Sequence, residues 1–306
     1  MQSNTPGSKS NVGNDSWLVS AILWFDRKPR TAEGSPLLKR PVLPVCDPRS
    51  NARNVCRYLA YGSNLCASTF QDNRGIQPIS AVNVIVPELR LAWDVPGIPY
   101  VEPCYANAKR RPGHVQSSTS RPLTGDRDPE ALVGVVYEIS ADDFAHILRT
   151  EGQGYMDTEV ECFRLQVNTN GVTACPREPP FKAHAVLARD TTSKRRQDMQ
   201  PSSRYLGLLV TGAREHNLPK EHVASLQSVA TYKTSTVGQC IGKSLFAFFW
   251  FIPVLVGVAL ERQMADENGK IPGWVNSMVD KCYLAMWWTH DYLFGPLFGD
   301  GARSVH

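Results

Sequence analysis

Two stretches of the chain combine residue types that can do chemistry. The first is Tyr58-Leu59-Ala60-Tyr61-Gly62-Ser63-Asn64-Leu65. Aromatic and aliphatic residues at 58–61 favour a pleated, half-buried strand that stops at Gly-Ser-Asn. Gly62 lets the backbone come close to a neighbour, and Ser63 and Asn64 are turn and helix-cap types. A strand ending this way aims several backbone N–H groups into one space, where a carboxylate or a developing oxyanion can bind. The second stretch is Leu148-Arg149-Thr150-Glu151-Gly152-Gln153-Gly154-Tyr155. Glu151 falls at the end of an expected helix, facing the unfavourable end of the dipole. With burial added, that environment suits a general base working near neutral pH. Each stretch also has a plainer reading: a strand, turn and helix start in the first, a surface Glu before a Gly-rich turn in the second.

Other chemistries find little support. Ser63 stands in Gly-Ser-Asn and not in a Gly-x-Ser-x-Gly elbow, which argues against a Ser/His/Asp hydrolase. Gly152-Gln153-Gly154 lacks the third glycine and the following helix of a dinucleotide site. The eight cysteines include no CxxC pair, and the seven histidines show no ligand spacing, so no metal site is expected. Cys66 and Cys104 read as small buried hydrophobes.

The elements that must position these residues follow from periodicity and punctuation. A short helix is expected from Leu65 to Asp72, then β-rich runs at Val82–Val86 and Leu89–Trp93, with a turn at Asp94-Val95-Pro96-Gly97. Glu102 to Ala108 reads as a strand with small residues, and 109–130 as a long loop. Leu132 to Ile139 is a strand. Ser140 caps a helix with Asp142 and Asp143 in its first turn, with Phe144, Ile147 and Leu148 on one face and Gly152 as terminator. Strands follow at Val160–Val167 and His184–Ala188. Ser202 or Ser203 caps a helix from Arg204 to His216, and another starts at Leu218-Pro219 with Val223 and Leu226 inward. This order has no regular βαβ alternation. It predicts an α+β domain on a mixed or antiparallel sheet, curled into a barrel.

Three blocks in this order resemble the γ-glutamylcyclotransferases: Tyr61-Gly62-Ser63-Asn64-Leu65, then Glu151-Gly152 with Tyr155, then Pro201-Ser202-Ser203-Arg204-Tyr205 with Gly212-Ala213 and Leu218-Pro219. The likeness covers residues 57–240. The Glu102-Pro103-Cys104-Tyr105-Ala106-Asn107 block and the tail resemble a fungal branch that includes the cyclotransferases of gliotoxin-like epidithiodiketopiperazine biosynthesis. The resemblance implies a small mixed β-barrel with flanking helices, and a reaction that cyclises a γ-glutamyl group to 5-oxoproline and releases the attached amine. It implies Glu151 as the catalytic acid–base. Tyr61, Gly62, Ser63, Asn64, Leu65, Tyr155 and Tyr205 are then the residues that bind a small γ-glutamyl substrate, with no metal or organic cofactor.

Composition frames this reading. An apolar fraction of 42% and a charged fraction of 20% suit a globular protein with a core. The net charge of +4 is spread over loops, without the basic stripe and interleaved aromatics that nucleic-acid binding requires. Residues 1–54 read as a loose extension with five prolines between 27 and 54, residues 55–240 as the catalytic domain, and 241–306 as an apolar helical extension. The polar start lacks the pattern of a signal peptide, so a cytoplasmic protein with reduced thiols is expected. In the tail, Ser244 to Leu260 is a run of 17 uncharged residues interrupted by Pro253, at the lower edge of a bilayer span. Trp274 to Leu297 is amphipathic. The tail can be a helical hairpin packed on the core or a membrane-surface contact through 244–297.

Overall fold

Strand β1 (Val55–Ala60) shows why this sequence forms a closed sheet. Its side chains alternate between two apolar surroundings, as the period of a strand requires. Leu59, with Tyr61 just beyond the strand, faces one core together with Val84, Val136, Val160 and Ala185. Tyr58 and Ala60 face a second core, shared with Phe144, Ile147 and Leu209. A strand buried on both faces must sit between an inner filling and an outer layer of helices.

The computed structural model describes residues 55–111, 131–151, 155–168, 171–174, 179–188, 199–264 and 271–300. The expected extension 1–54, the terminator Gly152 and most of the 109–130 loop lie outside them. Strands β2 (Ser80–Val86), β5 (Leu132–Ser140), β6 (Tyr155–Asn168), β7 (Gly171–Ala174) and β8 (Phe181–Ala188) join β1 in the order β2-β5-β1-β8-β6-β7. An added β2–β6 pairing closes five of them into a barrel, the mixed barrel expected from the sequence. All of these pairings are antiparallel except β1 with β8, where Tyr58 lies opposite His184. Strands β3 (Leu89–Ile98) and β4 (Glu102–Arg110) form a separate hairpin. Asn107 ties it to the barrel, accepting from the Ala188 N–H at 3.1 Å and donating to Asp94 at 3.1 Å.

Helix α1 (Ala141–Glu151) is capped as expected: the Ser140 hydroxyl accepts from the Asp143 N–H at 3.0 Å and donates to the Asp143 carboxylate at 2.7 Å. Helix α2 (Ser203–Glu215) is capped by Ser202, which accepts from the Tyr205 N–H at 3.0 Å. Helix α3 (Lys220–Gln227) buries Leu226 with Val223 beside it.

Two local expectations are corrected. Asp94 to Gly97 is no turn; it lies inside β3, whose register shifts between Trp93 and Val95. The chain reverses beyond it, around Tyr100 at φ 63°. Gly97 serves close approach instead, since a Cβ there would lie 2.0 Å from the Glu102 carbonyl oxygen. The short helix after the Gly62 turn is not a regular α-helix. It is a 3₁₀ turn, Ser63–Leu65, followed by a wider π-helical segment, Ser68–Asn73, that sets Phe70 between the rings of Tyr58 and Tyr137.

The tail forms α4 (Val237–Met264), α5 (Gly273–Thr289) and a short α6 (Gly295–Phe298). It packs on the β3–β4 hairpin. Phe246, Trp250, Met286 and Trp287 meet Tyr100 and Cys104, and the Trp287 indole donates to the Gly97 carbonyl at 2.9 Å. The opposite face of α4 is uncovered: Phe248 is 84% exposed, and Phe249, Phe251 and Ile252 lie beside it.

Helix α2 reaches the Gly62 turn through Gly212, where an added Cβ would stand 2.4 Å from the Leu65 carbonyl carbon and 2.6 Å from the Cys66 nitrogen. Backbone is the obstacle there, so Gly212→Ala is expected to cost about 1–3 kcal/mol by overpacking. A thermal melt against the parent protein checks this.

Candidate active site

The parallel pairing of β1 and β8 puts their C-terminal ends at the same end of the barrel, and β6, antiparallel to β8, begins there, with Tyr155 opposite Ala188. Helix α1 ends on Glu151 four residues before Tyr155. The Gly62 turn, Glu151 and Tyr155 are therefore brought together by topology. Tyr205, in the first turn of α2, completes the group: its hydroxyl accepts from the Ala106 N–H at 3.2 Å, and an added Cβ on Gly62 would stand 3.4 Å from it. The structure thus gathers all of the residues singled out from the sequence at one place.

The turn keeps donors in reserve. Leu65 N–H bonds the Gly62 carbonyl and Cys66 N–H the Ser63 carbonyl, both at 3.0 Å. Among the described residues, no acceptor takes the N–H of Gly62, Ser63 or Asn64. Side chains hold the turn from behind. Asn64 is buried and donates to the Tyr58 hydroxyl at 2.7 Å; the Tyr137 hydroxyl stands 2.6 Å from His216 Nε2; Ala67 N–H donates to Glu215 at 2.8 Å. Ser63 makes no side-chain hydrogen bond among the described residues, while the Asn64 and Leu65 side chains are buried in the support.

Around Glu151 stand four tyrosines whose hydroxyls keep their protons. Burial first, and then the charge of Glu151, pushes Tyr58 up to about 12. Burial likewise raises Tyr61 and Tyr155 well above the phenol range, with Glu151 adding to both, and raises Tyr205 strongly. These groups are hydrogen-bond donors at neutral pH and not bases. Tyr61 already spends its proton on the Val186 carbonyl at 2.6 Å. Behind Tyr205, the buried Glu102 pairs with Arg204; burial moves the Glu102 carboxyl up, and Arg204 opposes the shift.

Sequence reasoning missed two members of this neighbourhood. Tyr58 is one; its alternation with Leu59 along β1 carried the signal. Arg74 is the other. Its Nη2 lies 2.5 Å from Glu151 Oε1 and its Nη1 donates to the Thr150 hydroxyl at 2.7 Å. Burial alone would lower the Arg74 guanidinium, but Glu151 and Tyr58 reverse the sign and raise it. Among the described residues no cluster of His, Cys, Asp or Glu could hold a metal ion.

Comparison with known proteins bears on this arrangement. The gamma-glutamyl cyclotransferase gliK of Aspergillus fumigatus is 31% identical over 257 residues, covering 81% of this chain and 90% of its own. The chain belongs to the gamma-glutamyl cyclotransferase family. The gamma-glutamyl cyclotransferase aclK of Aspergillus oryzae is likewise 31% identical, over 259 residues, covering 80% of this chain and 89% of its own. Residues 236–297 match the family model of the AclK C-terminal domain. A solved gamma-glutamyl cyclotransferase structure superposes with a TM-score of 0.42 at 14% identity, covering 74% of this chain and 99% of the other. Like its family, this chain is a cyclotransferase enzyme.

Tyr205 joins the cap of α2 to the site, so its hydroxyl can be tested alone. Tyr205→Phe leaves the buried Ala106 N–H without an acceptor and is expected to cost about 1–3 kcal/mol in stability. Denaturant titration reads this directly.

Proposed function

We propose that Glu151 is the acid–base of the cyclisation and that the Gly62–Leu65 turn binds the glutamyl portion of the substrate. The observation that carries the reading is the pairing of acceptor-less N–H groups at 62–64 with a half-buried carboxylate at the end of α1. The α-amino group of the γ-glutamyl unit is an ammonium ion at neutral pH. Glu151 takes one of its protons, and the freed nitrogen attacks the γ-carbonyl carbon. A C–N bond forms, the ring closes, and the carbonyl oxygen becomes an oxyanion, toward which the turn N–H groups are suited to donate. The oxyanion then re-forms the carbonyl as the amide C–N bond breaks, its electron pair stays with the departing nitrogen, and Glu151 returns the proton there; the ring nitrogen gives up its second proton through the freed carboxylate to the released amine, which leaves as an ammonium ion. The products are 5-oxoproline and a free amine. No enzyme nucleophile is consumed. Tyr155 and Tyr205 hold the glutamyl chain folded, which supplies much of the rate through positioning.

The γ-glutamyl group, on this reading, is carried by a glutathione-derived conjugate in fungal secondary metabolism, of the epidithiodiketopiperazine toxin type. Support comes from the Glu102-to-Asn107 block and from a tail that matches the AclK C-terminal domain. Purified protein would be offered γ-glutamyl dipeptides, glutathione and glutathione S-conjugates, with 5-oxoproline as readout. Preference for the S-conjugates supports the toxin assignment; preference for glutathione or the dipeptides replaces it with a housekeeping role. Glu151→Gln is expected to stay folded and lose at least about 10³-fold in kcat, the scale of a general base. Ser63→Ala is expected to lose less than about tenfold, because its backbone and not its hydroxyl is used. Full activity in Glu151→Gln would remove the assigned base.

We further propose that the uncovered face of α4 rests on an anionic lipid surface. Helix Val237–Leu260 is long and apolar enough to cross a membrane, yet only 22% of its most apolar window is buried. Its inner face is committed, with the Trp250 indole bonded to Thr289 at 3.0 Å, so in-plane contact suits it better than a span. Lys233, just before α4, and Lys243, in its first two turns, are exposed and put cations near that end of the helix, where anionic headgroups would be complementary. Flotation of the full chain with vesicles containing phosphatidylserine is expected to carry the protein upward, and Phe248→Ser with Phe251→Ser to abolish this. A protein that stays at the bottom, or that dimerises through this face, overturns the assignment.

A further inference from the structure

We infer that Arg74 is a positioning residue for Glu151, holding one carboxylate oxygen and leaving the other for the substrate amine. This rests on Glu151 being the base. The geometry is a fork. One guanidinium nitrogen lies 2.5 Å from Glu151 Oε1 and the other donates to the Thr150 hydroxyl at 2.7 Å. Thr150 is itself fixed, its hydroxyl lying 3.0 Å from the His146 carbonyl and 2.9 Å from the Ile147 carbonyl. The guanidinium therefore clamps the last turn of α1 and the carboxylate together. Glu151 Oε2 makes no hydrogen bond among the described residues, so it is the oxygen that can accept from an ammonium.

Arg74 is placed by the backbone that ends the Ser68–Asn73 segment. It caps the Ser68–Asn73 segment, with its N–H bonded to the Thr69 carbonyl at 3.2 Å. Gly75 follows at φ 69°, a left-handed conformation that favours glycine, with nothing within 4 Å of an added Cβ. Ile76 N–H then returns to the Phe70 carbonyl at 3.2 Å, and the Ile76 side chain is buried. The stretch that presents the free N–H groups at 62–64 thus also delivers, ten residues beyond Asn64, the cation that orients the base.

Few charges of the described residues face Glu151. Among the described residues, Arg74 is the cation, and Tyr58 of β1, Tyr61 after it, Tyr155 of β6 and Tyr205 of α2 are the other titratable groups. While Glu151 holds the proton taken from the ammonium, Arg74 stands beside a neutral carboxyl. When the proton passes to the leaving nitrogen, the ion pair is restored. A clamp of this kind acts on turnover more than on binding.

The test uses the full chain with γ-glutamylalanine as probe and 5-oxoproline as readout. Arg74→Gln is expected to keep a cooperative melt and to lose about 100-fold in kcat, the scale of a misplaced catalytic group, with KM changed less than about threefold. Arg74→Lys, a point charge without the fork, falls between, and added guanidinium ion restores part of the Arg74→Gln rate. If Arg74→Gln does not fold, Thr150→Val takes its place, with about a tenfold loss in kcat expected from a loosened clamp. A folded Arg74→Gln, or failing that Thr150→Val, with parental kcat overturns the clamp if Glu151→Gln is inactive. If Glu151→Gln is active, the assignment of the base has failed instead.

Discussion

The site depends on one strand pairing, the parallel association of β1 with β8. In an all-antiparallel barrel the C-terminal end of β1 would face the start of its neighbour. Here Tyr58 opposite His184 and Leu59 opposite Ala185 run in the same direction, so Tyr61 and Val186 meet and the Tyr61 hydroxyl reaches the Val186 carbonyl. Because β6 returns antiparallel from β8, Tyr155 begins at that same end, and α1 must finish there to feed it. The position of Glu151 follows from this chain of constraints rather than from any local preference.

The second constraint is close approach. The turn after β1 can expose its N–H groups only if something else supports its carbonyl side. Helix α2 does so through Gly212, with Glu215 bonded to the Ala67 N–H and the aromatic layer of Tyr58, Phe70 and Tyr137 below. In that support the Asn64 amide N–H, the Tyr137 hydroxyl and Glu215 have partners, while Asn64 Oδ1 and the Thr69 hydroxyl have none among the described residues. The β3–β4 hairpin supplies the opposite wall, and the tail helices hold that hairpin by its Gly97 carbonyl. The tail is thus continuous with the site wall through Tyr105, whose ring meets Tyr205 edge-on at 5.1 Å.

Much of this was legible in residue order. Ser140 announced the cap of one helix and the Ser202-Ser203 pair that of another; the apolar run from Leu132 to Ile139 marked a strand; the abrupt stop at Gly62 marked a turn with work to do. What was not legible was long-range. Nothing near Arg74 indicates that a residue 77 positions away needs its charge, because pairing partners leave no trace in local periodicity. The Asp94-to-Gly97 turn signal misled for a related reason. Gly97 answers to a carbonyl across the hairpin and to Trp287 from the tail, not to the bend its neighbours suggest. The direction of β8 relative to β1 was equally hidden, since parallel and antiparallel strands share one period.

The separations involved in these pairings carry a further meaning. Tyr61 meets a residue 125 positions on, Arg74 one 77 positions on, and Ala106 one 99 positions on. Each requires closing a long loop before any reward is gained, so the barrel should assemble slowly and late. A chain still emerging during synthesis has the turn and its free N–H groups well before it has Glu151 in place. Completion of the candidate site is therefore a late property of the finished barrel, and a fragment ending before β8 lacks the strand that brings its parts together.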